Sequence, residues 1–101
     1  MAIQRGSTPT HIFNTSVDLR DADVIYITYQ QAGRTIVEKD KSDIEVFEDK
    51  VQVHLSQDDT LLFSTDLYVH IQVRAKFMDG TAIVSNIISA RAGKLLKQGV
   101  I

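Results

Sequence analysis

Residues 67–77 alternate without a break. Leu67, Val69, Ile71, Val73, Ala75 and Phe77 are apolar and share one parity, while Tyr68, His70, Gln72, Arg74 and Lys76 share the other. Successive side chains of a strand leave on opposite faces, so this order makes one face that must be covered and one that water can wet. A helix would scatter the same apolar side chains around its circumference. The pattern predicts a half-buried antiparallel strand and requires a second layer to cover it. Met78-Asp79-Gly80 follows, and Asp-Gly supplies the positive φ of a tight hairpin turn, so residues 81–89 read as the return strand.

The same period recurs along the chain. Val51, Val53 and Leu55 alternate with Gln52 and His54; Ile44, Val46 and Phe47 precede them across the polar turn Glu48-Asp49-Lys50. Residues 24–31 are rich in β-branched and tyrosyl side chains, Ala32-Gly33 closes that run, and residues 34–39 run back. His11, Phe13 and Thr15 alternate with Ile12 and Asn14 behind Pro9, as in an opening edge strand. About seven strands with turn signals roughly every ten residues predict an all-β fold, an immunoglobulin-like antiparallel β-sandwich. A closed small barrel is the alternative. One segment breaks the alternation: Ser56-Gln57-Asp58-Asp59 has the Ser-x-x-acid form of a helix start and predicts one short helical turn crossing between the sheets. Residues 92–98 read as a second short helix before Gly99.

The 101 residues, 44% hydrophobic and 24% charged, suffice for one modest core, so residues 1–101 read as a single domain with a C-terminal tail at 92–101. One proline and five glycines leave no room for a linker. The absence of cysteine excludes a disulfide scaffold, a thiol nucleophile and a cysteine zinc site. The longest apolar run is far too short for a transmembrane helix, and the first twenty residues hold no apolar leader, so neither membrane insertion nor export by a signal peptide is expected. A net charge of -2 argues against a nucleic-acid partner. The charge is unevenly spread. Residues 18–79 hold all 13 acids, whereas the two ends carry Arg5, Arg91, Lys94 and Lys97 with no acid. Such asymmetry can steer the end of one copy onto the middle of another.

Catalytic and ligand motifs are scarce. His11, His54 and His70 could in principle share a metal, but none has the close spacing of a metal motif, and solvated strand histidines explain them better. No Gly-x-Ser-x-Gly elbow, phosphate loop, calcium loop or dinucleotide fingerprint occurs. The pairs Asp58-Asp59 and Glu48-Asp49 sit in turn-like contexts that suit capping rather than acid–base chemistry. The expectation is a non-enzymatic protein with no catalytic, cofactor or metal residues and no cofactor. Outward-facing Tyr26 and Tyr68 raise an alternative, a carbohydrate-binding module whose exposed rings stack on sugars. The C-terminal stretch is more suggestive. Leu95, Leu96, Val100 and Ile101 are apolar, lie beside Lys94 and Lys97, and follow the last expected strand. The tail either covers an open edge of its own domain or reaches a neighbour as a helix in a groove or an added strand. Candidate partner-contact residues are Leu95, Leu96, Val100 and Ile101, with Arg5 and Lys94 as rim charges.

Several stretches together resemble a known group. They are Arg5-Gly6-Ser7-Thr8-Pro9-Thr10, Leu55-Ser56-Gln57-Asp58-Asp59-Thr60-Leu61, Ile71-Gln72-Val73-Arg74, Asp79-Gly80-Thr81-Ala82 and Ser85-Asn86-Ile87-Ile88. In this order and spacing the chain resembles small proteins encoded among the structural genes of phages and prophages of Firmicutes. More distantly it is similar to the amino-terminal β-sandwich domain of siphophage upper baseplate proteins. The resemblance implies a structural or adaptor module, tail- or virion-associated, found in the virion or the host cytoplasm. Its implied partners are other phage structural proteins or copies of itself.

Overall fold

The computed structural model describes residues 2–101. Along these residues run β1 (Ala2–Gln4), β2 (Thr10–Asn14), β3 (Val24–Gln31), β4 (Arg34–Asp40), β5 (Ile44–Val46), β6 (Lys50–His54), the helical turn α1 (Gln57–Leu61), β7 (Tyr68–Lys76), β8 (Ala82–Val84) and β9 (Ile88–Gly93). They form two facing sheets. The larger has the order β1-β9-β7-β3-β4, with β8 beside β7; the smaller has the order β2-β6-β5. Every pairing is antiparallel except that of β1 with β9.

The alternation of β7 dictates the layering. Val69, Ile71, Val73 and Ala75 are buried, while Tyr68, His70, Arg74 and Lys76 are exposed. Their inward face meets Ile25, Ile27 and Tyr29 of the adjacent β3 and, across the sandwich, Phe13, Val51 and Val53. Leu55 and Phe63 close the end of the core on either side of α1. Ser56 caps α1 as expected: its hydroxyl accepts the Asp59 amide, and the Asp59 carboxylate accepts the Ser56 amide. Asp59 also meets Lys39 of β4 at 2.9 Å, so the capped turn is tied to the larger sheet. The connection from β6 to β7 crosses between the sheets, as read from the sequence.

The structure corrects three expectations. The return strand at 81–89 is broken between β8 and β9. Ser85 accepts the Val73 amide through its hydroxyl and donates its own amide to the Val73 carbonyl, so a side chain replaces part of the ladder and the chain bulges. Residues 92–98 form no helix. β9 runs to Gly93 because Ala90 and Ala92 face the core and Ala92 lies opposite Ile3. The third correction is β1 itself, a strand that the alternation did not announce. The two sheets remain separate, so the closed barrel is excluded.

Candidate interaction surface

The tail begins where β9 ends, and side chains from three elements hold it. Gln4 donates to the Lys94 carbonyl at 2.8 Å. Arg5 donates to the Leu61 carbonyl at 3.1 Å and to the Gln98 side chain at 3.4 Å. Gln57 accepts the Ile101 amide at 2.9 Å and donates back to the Ile101 carbonyl. Behind this clasp, Thr60 is fully buried; its hydroxyl accepts the Gly6 amide and donates to the Ser7 carbonyl, each at 2.9 Å. The N-terminal segment, α1 and the tail thus meet at one end of the sandwich.

The expected contact residues divide at this junction. Leu95 turns inward and packs on Gly6, beside Leu61. Leu96 and Ile101 stay 92% and 91% exposed, and Val100 is exposed as well. Lys94 points to solvent. Arg5 is half-buried: its guanidinium donates to the Leu61 carbonyl and to Gln98, while its Nε is buried without a hydrogen-bond partner.

At the other end the two sheets diverge around a groove of about 550 Å³. One wall is the end of β2 with the segment that follows it, through Leu19; the other is β8, Asn86 and the start of β9, over a floor of Val73 and Ala75. Ile12, Val17 and Val84 on its lips are exposed. None of its lining residues is charged. The groove follows from the choice β1 makes. By joining β9 instead of β2, β1 leaves the outer edge of β2 unpaired among the described residues. The edge position of β2 agrees with the opening edge strand read behind Pro9, whereas the groove beside it was not foreseen from the sequence.

The histidines do not converge. His11 is buried in the core, where its Nδ1 shares a 2.6 Å hydrogen bond with the Tyr29 hydroxyl. Burial lowers its pKa and raises that of Tyr29. His54 lies on the outer face of the smaller sheet and His70 on that of the larger. Among the described residues no group of three or more histidine, aspartate or glutamate side chains could hold a metal. Tyr26 and Tyr68 are both exposed on the outer face of the larger sheet. Tyr26 sits opposite Arg74, which is six residues from Tyr68, so the rings are about 20 Å apart. Arg91 also lies over the Tyr68 ring, 4.7 Å from its centre. They do not form a single sugar platform.

No helix among the described residues is long and apolar enough to cross a membrane. No family model matches the chain, and no curated protein matches it. Two solved structures are similar. One is the immunoglobulin-like domain of mouse leukocyte-associated immunoglobulin-like receptor 1, solved as a strand-swapped dimer: TM-score 0.54, 15% identity, 93% of this chain and 88% of that one covered. Another is the V domain of amphioxus IgVJ-C2, with TM-score 0.40, 11% identity, and 93% and 100% covered. The two-sheet order and the first of these likenesses agree: the chain folds as an immunoglobulin-like β-sandwich.

Proposed function

We propose that this domain is a non-enzymatic structural or adaptor module of a phage or prophage particle, acting through protein–protein contacts. The observation that carries the reading is the tail. A chain that clasps residues 94–101 to its surface with several side-chain hydrogen bonds, and still leaves Leu96, Val100 and Ile101 in water, presents apolar side chains rather than hiding them. Covering them yields about 1.5–3 kcal/mol per large side chain at best. The loss of freedom on association offsets much of that, so a single contact is weak and repetition across many copies makes it firm. Particle assembly supplies such repetition. The likeness to a domain solved as a strand-swapped dimer supports contacts between copies of such a fold. The phage assignment rests on the sequence resemblance described above.

The test is to induce the prophage that encodes the chain, purify particles on a density gradient and probe each fraction for it. The chain should band with the particles, and a Leu96→Glu/Ile101→Glu variant should be depleted from them. A chain found only in the soluble fractions would overturn the reading.

A further inference from the structure

We propose that two copies of this chain pair through β2, edge to edge and antiparallel, so that their smaller sheets join into one sheet of six strands. This goes beyond the tail contact above and does not depend on it. The register of β2 on β6 shows which backbone groups are free. The Leu55 amide donates to the Pro9 carbonyl at 2.9 Å and the Thr15 amide to the Asp49 carbonyl at 2.8 Å, on the same register that sets Thr10 opposite His54 and Asn14 opposite Lys50. Bonded residues alternate along an antiparallel pair, so His11 and Phe13 face β6 as well. The N–H and C=O groups of Thr10, Ile12 and Asn14 point the other way, where no strand lies among the described residues.

Other edge strands are guarded. β4 carries Arg34, Glu38, Lys39 and Asp40. β1, β5 and β8 have three residues each, and β8 ends at the Ser85 bulge. Charge, shortness and bulges all keep an edge from pairing with a second chain. β2 has five residues and none of these devices. Pro9 does not guard it, because the backbone at that position turns toward β6.

Charge selects a second copy as the occupant. A two-fold contact sets a surface against itself, so a charge beside the axis meets its own sign. Residues 6–17, twelve in a row without Lys, Arg, Asp or Glu, are the longest such stretch in the chain, and β2 lies within it. Centred on Ile12, the pairing sets Ile12 opposite the partner's Ile12 and Thr10 opposite the partner's Asn14, and three residue pairs exchange six hydrogen bonds. Lys50, opposite Asn14 on β6, is the one Lys, Arg, Asp or Glu in these rows. Strand spacing and rise put the two copies' Lys50 about 20 Å apart, twice the screening length of about 10 Å at 0.1 M salt. The charges beside the groove are of both signs: Asp18 and Asp49 adjoin its β2 wall, and Arg74 and Lys76 flank Ala75 of its floor. Nothing there favours a charged segment over a neutral edge. The seam uses no tail residue, so the contact closes at two copies and leaves two tails for other contacts. Five residues a side bury less than the roughly 800 Å² per partner of a standard interface, so the dimer forms as concentration rises.

The experiment uses the full-length chain and two variants at the two-fold axis, Ile12→Lys and Ile12→Glu. Ile12 is exposed, so the fold has no reason to fail, and circular dichroism checks that it has not. In sedimentation velocity the wild-type coefficient should climb with concentration from that of a monomer to that of a dimer. Each variant alone should stay monomeric over the same range, because like charges then stand directly opposite each other. An equimolar mixture of the two should dimerise again, since lysine then faces glutamate. In the wild type, hydrogen exchange at the amides of Thr10, Ile12 and Asn14 should slow as the dimer forms, while the amides of His11 and Phe13 are protected throughout. Variants that dimerise like the wild type would place the contact elsewhere and overturn the proposal, as would a wild type that stays monomeric at every concentration. Monomeric variants whose mixture also stays monomeric would overturn the pairing centred on Ile12. Incorporation into particles decides the tail reading separately.

Discussion

At the scale of single residues, the core contains one polar pair whose behaviour can be worked out. His11 and Tyr29 hydrogen-bond between the sheets, with the Tyr29 ring against Phe63 at 5.9 Å between centres. Tyr29→Phe removes the hydroxyl and leaves the His11 Nδ1 buried without a partner, which should cost about 1–3 kcal/mol of stability in a urea titration. Replacing both, His11→Leu with Tyr29→Phe, should recover most of that, since no polar atom is then stranded. The pair also sets a pH slope. Burial holds the His11 pKa below its ordinary 6.5, so above that value both folded and unfolded chains are neutral here and nothing changes. As the pH falls through 6.5, the unfolded chain takes up a proton that the folded chain refuses, and stability drops until the folded value is reached. Between about pH 7.5 and 5 the wild type should therefore lose more stability than the double variant. Equal slopes would show that His11 is not the group responsible.

Elements were legible where the information is local. The parity of β7, the Asp-Gly turn after it and the Ser56 cap each follow from residues within a few positions of one another. β1 is different. Ala2-Ile3-Gln4 is too short to show a period, and its place depends on Ile3 being buried beside β9, some ninety residues away in the chain. The end of β9 misleads for a related reason. Alanine favours helices in isolation, but Ala90 and Ala92 serve here as small inward side chains of a strand, and tertiary context overrides propensity. Candidate-site residues followed the same rule. The apolar character of the tail was visible, whereas the inward turn of Arg5 and Leu95 depends on where α1 lies. Gly6 joins these elements. It has φ 79, and an added Cβ would come within 3.0 Å of Leu95. Gly6→Ala should cost about 1–2 kcal/mol from the left-handed backbone alone. It should also push Leu95 off its seat. Hydrogen exchange at the Ile101 amide, now bonded to Gln57, should then quicken relative to the amides of β3 and β7. Unchanged exchange at Ile101 would mean the clasp does not depend on Leu95.

At the scale of the whole molecule, the domain is elongated and its tail carries charge as well as apolar side chains. The domain measures 47 × 26 × 18 Å, and its radius of gyration of 14.1 Å exceeds the roughly 12.7 Å of a compact chain this long. β9 runs from the groove, at Ile88, to the clasp, at Gly93. That course could not be read from the order of charges alone. A tail that meets a neighbour brings Lys94 and Lys97 toward residues 18–79, which hold all 13 acids, and these charges remain near solvent, where salt screens them. The screening length falls from about 10 Å at 0.1 M salt to about 3 Å at 1 M. Sodium chloride should therefore weaken self-association of the wild-type chain beyond the β2 dimer across that range. In a Lys94→Gln/Lys97→Gln variant the association should be weaker from the start and nearly indifferent to salt, since the apolar side chains then act alone. Sedimentation equilibrium of both chains over a salt series distinguishes the outcomes. A wild-type association beyond that dimer that holds or strengthens as salt rises would mean that apolar burial governs the contact and that Lys94 and Lys97 have no part in it.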